Sequence, residues 1–230
     1  MALPTVRARH VMQGMLALFQ ETNYMVWVGN VGPLMAFVLQ EYQSRWNPAH
    51  VAILLSAFSA GYVPTQVPYS LLARRTGEKL LCTVNLSAQA VGCALLPAAA
   101  ASGPLALSAV HAGLGVFQGS RIPCLAVLSQ RWIPDGMERI LNQQVTGWFA
   151  QIYSLLINAL VPVLAMRYGW RVVPRWFAVQ SALMAVLWQL VAVDTPAQWR
   201  GPVKMEQAEL ELLANIGQER GGEGEKHRIM

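Results

Sequence analysis

The chain has 230 residues, of which 54% are hydrophobic and only 13% are charged, and its formal net charge is +5. Because a water-soluble domain carries about 25% charged residues, this composition argues against a soluble globular protein. The basic residues are dispersed among short loops and form no single stripe, which argues against a nucleic-acid partner.

Six apolar stretches follow one another along the chain, and each is about long enough to cross a bilayer as a helix. They cover residues 13–39, 50–73, 80–100, 104–129, 143–166 and 172–193. Hydrocarbon offers no partners to backbone N–H and C=O groups, so the pattern permits only a helical bundle. The sequence therefore predicts an all-α membrane protein with six transmembrane helices.

The chain turns polar past Asp194. We expect residues 1–12 to form an N-terminal segment, 13–193 the transmembrane domain and 194–230 a tail. Within the tail, apolar residues return at helical spacing and predict a short amphipathic helix over about 204–217. Glycines and charges then predict a disordered end.

The distribution of Lys and Arg predicts the orientation of the bundle. Only Arg45, Arg167 and Arg171 fall in loops on one side of the six stretches. The other side carries Arg7, Arg9, Arg74, Arg75, Lys79, Arg131, Arg139, Arg200, Lys204, Arg220, Lys226 and Arg228. Because basic loops are retained in the cytoplasm, both termini are expected to be cytoplasmic.

The inventory of reactive residues argues against an enzyme. The three cysteines lie inside apolar stretches without a C-x-x-C spacing, which indicates buried thiols and no metal site. The sequence contains neither a G-x-S-x-G nor an H-E-x-x-H element, and it lacks a P-loop and a dinucleotide fingerprint. We therefore expect no catalytic residues, no metal and no cofactor.

Motifs between the apolar stretches resemble those of a transporter family. The run GYVPTQVP at residues 61–68 leads into the basic loop ARRTGEK at residues 73–79. Two further blocks lie at residues 113–139 and 168–171. These blocks resemble the major facilitator transporters and, more narrowly, their anion:cation symporter branch, which includes sialin, vesicular glutamate transporters and type I or plastid phosphate transporters.

The resemblance implies the N-terminal half of a twelve-helix transporter, whose two six-helix halves rock around a central site. It implies transport of small organic or inorganic anions, of the phosphate or carboxylate class, by ion-coupled alternating access. The implied partners are the lipid bilayer, a small anionic solute, and a second copy or a second six-helix half. Three explanations for a chain of this length stay open: a fragment of a longer transporter, a half-sized protein that dimerises, and a copy that no longer transports. The alternative function is a non-transporting subunit bound to a related full-length carrier.

Ionisable residues inside the apolar stretches are the first candidates for a functional site, since a charge in hydrocarbon is costly. Glu21 and Arg121 lie at similar depth in the first and fourth stretches, which predicts a pair. Arg121 then either holds an anion that Glu21 replaces, or forms a static ion pair. By the resemblance, Asn30 and Gln66 belong to stretches that border the cavity. Most of the other amide and hydroxyl groups in the apolar stretches are expected to hydrogen-bond between helices; they belong to Asn23, Asn85, Gln89, Gln143, Gln144, Thr146, Gln151 and Asn158.

His111 and Gln118 fall where the branch has an intramembrane arginine and an acidic residue. Imidazole titrates near neutral pH, so His111 is either a proton carrier or a neutral histidine bonded to a neighbouring group. Both residues are candidates for substrate binding or coupling. The resemblance expects an arginine and an acidic residue in these roles, and this chain has a histidine and a glutamine in their place.

The loop after the second stretch matches the branch's conformational motif, D-R-x-G-G-K, at Arg75, Gly77 and Lys79. Arg74 stands at the acidic position of that motif. In the branch this acidic residue pairs with basic groups and helps to hold one conformational state. The resemblance therefore implies that an ion pair is lost here.

Overall fold

A computed structural model describes residues 7–42, 45–134 and 136–200, together with Val203, Glu211 and Leu213. All regular structure in these described residues is helical, which confirms the all-α prediction. Of the tail helix predicted over about 204–217, the described residues include only Glu211 and Leu213, which are both helical, and the predicted disordered end lies outside the described residues.

In the described part of the chain, eight α-helices form six rods, one for each predicted stretch. Their bounds are α1 Ala8–Val31, α2 Pro33–Tyr42, α3 Pro48–Thr76, α4 Glu78–Ser102, α5 Pro104–Gln118, α6 Arg121–Trp132, α7 Met137–Tyr168 and α8 Val172–Val191. The first rod consists of α1 and α2, and the fourth consists of α5 and α6. Of these helices, α3, α4 and α7 are each long and apolar enough to cross a membrane unaided.

Two rods are interrupted at positions that the apolar pattern did not reveal. The first breaks at Gly32, because Pro33 has no N–H and fits best at the start of a new helix. The fourth breaks at Gly119 and Ser120. There the carbonyl of Phe117 accepts a hydrogen bond from the Ser120 N–H at 3.3 Å. The same carbonyl can also accept a hydrogen bond from a side chain of a neighbouring helix, that of Asn85 on α4.

Helices α3 and α5 contact each other through glycines. A side-chain carbon at Gly115 would lie 2.0 Å from the Phe58 carbonyl oxygen, and one at Gly61 would lie 2.1 Å from that of Ala112. Such distances leave no room for any side chain, so the two backbones touch directly. Close approach of this kind is typical of small residues at helix contacts in membranes.

Replacing Gly115 by alanine is expected to destabilise the bundle by about 1–3 kcal/mol, because the new methyl group must push two backbones apart. A lower midpoint of thermal unfolding in detergent would show this. Gly113→Ala is the matched control on the same helix, since a side-chain carbon there meets no atom within 4 Å. Equal midpoints for the two variants would contradict the backbone contact.

The bundle has two ends, which we call the terminal and the distal end. The terminal end holds the start of α1, the α3–α4 and α6–α7 connections, and the end of α8. The distal end holds the α2–α3, α4–α5 and α7–α8 connections. At the distal end, Arg171 Nη2 and Trp170 Nε1 donate to Glu41 at 2.6 and 2.7 Å. These bonds tie α2 to the start of α8.

Candidate functional site

A layer of buried amides separates the apolar core of the distal end from that of the terminal end. Gln89 Nε2 on α4 donates to Asn23 Oδ1 on α1 at 2.8 Å, and also to Asn85. Asn85 Nδ2 donates to the exposed carbonyl of Phe117 at 3.0 Å. Gln118 Nε2 donates to the Asn23 carbonyl at 3.2 Å. The interhelical bonding predicted for Asn23, Asn85 and Gln89 is thus confirmed, and it fixes the geometry of the α5–α6 break.

A cavity of about 440 Å³ lies between α1, α6 and α7, toward the terminal end from Gln118. Two guanidinium groups line it, those of Arg121 and Arg139. Amide and hydroxyl groups complete the polar part of its wall, from Gln20, Asn142, Gln143, Ser129, Thr146 and Tyr24. None of the described residues that line the cavity is acidic. Arg139 already donates to the Ile133 carbonyl at 2.8 Å, so the wall offers the Arg121 cation and hydrogen-bond donors to a small anion.

Arg121 is the central group of this cavity. Its guanidinium carbon lies 4.9 Å from the centre of the Tyr24 ring, in a cation–π contact. Its Nε is shielded from solvent and has no hydrogen-bond partner among the described residues. The sequence prediction missed Tyr24, although Gln20 and Tyr24 are spaced by one helical turn and therefore share a face of α1. A half-buried cation with a shielded, unused donor is suited to hold an anion.

Glu21 lies within range of the Arg121 charge but forms no ion pair with it in the described part of the chain. Both carboxylate oxygens are shielded from solvent and have no hydrogen-bond partner among the described residues. The predicted Glu21–Arg121 contact is therefore not formed in this conformation, because the guanidinium stacks on Tyr24 instead.

Three other predicted residues lie away from the cavity wall. His111 is 1% exposed, and its Nδ1 lies 3.0 Å from the Leu107 carbonyl one turn earlier. Asn30 is equally buried, and its Nδ2 donates to Cys93 Sγ at 3.5 Å. Gln66 is half-buried on α3. The structure thus brings Arg121 to the cavity, with Glu21 nearby, and leaves these three outside it.

The predicted loop motif forms part of a charged network at the terminal end. Arg74 and Arg75 are exposed, whereas the Lys79 N–H donates to Asp194 Oδ1 at 2.6 Å. Gly77 has φ +85, a conformation that favours glycine, and a side chain there would meet the Asp194 carboxylate at 2.8 Å. Asp194 thus accepts a backbone donor at the N-terminus of α4, where a negative charge is favourable.

The ion pair that the resemblance places at the position of Arg74 is supplied by another residue of the same loop. Glu78 is 2% exposed, and its Oε2 accepts a hydrogen bond from Arg131 Nη1 at 2.6 Å. The same Nη1 lies 3.4 Å from the Asp194 carbonyl. The chain has therefore lost the acidic residue of the motif and kept an ion pair at this end. Glu78, Arg131 and Asp194 were not among the predicted site residues.

Comparison with known proteins places these features in one family. The model of the Major Facilitator Superfamily matches residues 16–222. Sialin from Ovis aries is 29% identical over 66% of this chain and 30% of its own length. A putative inorganic phosphate cotransporter from Drosophila ananassae is 26% identical over 69% of the chain and 33% of its own length.

Probable anion transporter 4, a chloroplastic protein from Oryza sativa subsp. japonica, is 28% identical over 66% of the chain and 26% of its own length. The chain thus spans about a third of the length of these relatives. The family model covers most of the six-rod bundle, from α1 to beyond α8. The chain belongs to the Major Facilitator Superfamily.

Proposed function

We propose that this integral membrane protein takes part in transport of small anions of the phosphate or carboxylate class, and that Arg121 binds the anion. The observation that carries the proposal is the cavity wall, where the Arg121 guanidinium and several amides meet and where none of the described lining residues is acidic. The names of the relatives, a phosphate cotransporter and an anion transporter, support the same class of solute.

Charge balance explains how binding works at this site. An anion that enters the cavity neutralises Arg121 and satisfies the Nε donor that has no described partner. When the anion leaves, the nearby Glu21 carboxylate is the group that replaces it. Binding of the anion therefore competes with pairing to Glu21. The same competition links anion binding to the ionisation of Glu21, and so to an ion gradient.

Alternating access requires a second body that moves against this bundle. In the proposal, a second copy of the chain or a separate six-helix half supplies it. The terminal end, with its exposed Arg74 and Arg75, faces the cytoplasm. Both chain termini then lie on the cytoplasmic side.

Reconstitution tests the proposal. The purified chain in lipid vesicles is expected to take up labelled phosphate or labelled glutamate when an ion gradient is imposed, and unlabelled anion should compete. Vesicles without the protein give the baseline. Uptake at the baseline for both anions would contradict transport by this chain. If the chain then co-purified stably with a related full-length carrier, the alternative of a non-transporting subunit would be favoured.

A further inference from the structure

Helix α7 carries a row of exposed polar side chains that the cavity does not account for. Gln144, Gln151 and Asn158 are spaced by seven residues, two turns each, and all three are exposed. Gly147 and Ser154 lie between them on the same flank. We call these five residues the α7 polar strip. It extends over 15 residues, or about 21 Å of helix, within a hydrocarbon layer about 30 Å thick.

A second flank of α7 has the opposite chemistry at the same depth. Val145, Ile152 and Ala159 each follow a strip residue by one position and are therefore rotated from it by about 100°. They are exposed as well. An amide in hydrocarbon without a hydrogen-bond partner costs several kcal/mol, whereas transfer of valine and isoleucine side chains into hydrocarbon is favourable. Lipid is thus the expected neighbour of the second flank, and the strip needs water or another polar surface.

The strip differs from the buried amides because its polar groups are not used to join helices. Within the described residues, Gln144 and Gln151 have no hydrogen-bond partner, whereas Asn23, Asn85 and Gln89 bond to one another. Asn158 Nδ2 donates only within α7, to the carbonyl and hydroxyl of Ser154. Interhelical bonding therefore does not explain why these residues occur in an apolar helix.

The strip is continuous with the Arg121 cavity at one end and with a helix break at the other. Gln143 and Gly147 line the cavity, next to Gln144. Asn158 lies beside the break of the first rod, since a side-chain carbon at Gly32 would be 3.9 Å from its Oδ1. The strip thus connects the cavity near the terminal end with the Gly32 break toward the distal end.

We infer that the α7 polar strip is the water-accessible path along which a small anion passes between the Arg121 cavity and the distal end. The inference rests on the proposed transport function. Amide N–H groups can replace part of the hydration shell of an anion, and without a charge they do not retain it. Passage requires sites that bind weakly enough for release, which suits amides better than a second arginine.

Cysteine labelling in lipid vesicles tests the path without measuring transport. The native Cys82, Cys93 and Cys124 are fully buried, which provides an unreactive background. Single cysteines replace Gln144, Gln151 and Asn158, with Val145→Cys, Ile152→Cys and Ala159→Cys as controls at matched depth. The probe is a charged, membrane-impermeant methanethiosulfonate, which reacts with thiols only where water reaches them.

We expect the strip cysteines to react at least about tenfold faster than their matched controls. This result supports the path even if phosphate uptake is not observed, so it is separate from the outcome of reconstitution. Equal rates at strip and control positions overturn the path even if uptake is observed. Slower reaction at the strip overturns it as well, because another helix must then cover these residues.

Discussion

Replacement of Arg121 by glutamine is expected to weaken phosphate binding by about 10- to 100-fold. A hydrogen bond between charged partners contributes about 1.5–3 kcal/mol, and each 1.4 kcal/mol corresponds to a factor of ten. Among the described residues of the cavity wall, Arg121 is the arginine whose guanidinium stacks on an aromatic ring, that of Tyr24. Glutamine keeps a donor and much of the length while it removes the charge.

Equilibrium binding of labelled phosphate to the purified protein measures this effect. Arg121→Lys should fall between the wild type and Arg121→Gln, because lysine retains the charge and loses the planar fork that fits an oxyanion. Arg175→Gln is the control, since Arg175 is an exposed arginine on α8 outside the cavity wall. Equal affinities for Arg121→Gln and Arg175→Gln would show that the anion binds elsewhere.

The number and order of the rods could be predicted because hydrocarbon imposes strong constraints on a chain. A segment such as residues 143–166 must be helical throughout and apolar over most of its surface, so it can be recognised whatever its neighbours are, and it becomes α7. The breaks at Gly32 and at Gly119 and Ser120 could not be predicted in the same way. Membrane helices tolerate glycine, proline and serine, and whether a rod breaks depends on partners such as Asn85 on another helix.

The candidate site shows where sequence reasoning ends. Glu21 and Arg121 stood out because charges are rare in apolar stretches, and their similar depth followed from helix length alone. Depth does not determine which way a long side chain turns. The guanidinium stacks on Tyr24, a residue without charge whose role depends on a rotamer. The Glu78–Arg131 pair was missed for a different reason: both residues lie between the predicted apolar stretches, where a charged residue is not unusual.

The second large effect is expected at the terminal end. Arg131→Gln removes the partner of a carboxylate that is 2% exposed, and breaking a buried ion pair costs about 3–5 kcal/mol. Because the Arg131 side chain is itself 39% exposed, solvent screens part of the interaction. We therefore expect a loss of about 2 kcal/mol in the free energy of unfolding. Denaturant unfolding in detergent measures it.

Two further variants decide whether this loss belongs to the Glu78–Arg131 pair. Arg74→Gln changes an exposed arginine of the same loop and should alter the free energy of unfolding by less than about 0.5 kcal/mol. The double variant Glu78→Gln with Arg131→Gln should be more stable than the sum of the single losses predicts, by about 1 kcal/mol or more. Additive losses would mean that the two side chains act independently. Coupling would mean that the Glu78–Arg131 pair stabilises the terminal end of the bundle, at the loop where Arg74 stands in place of the branch's acidic residue.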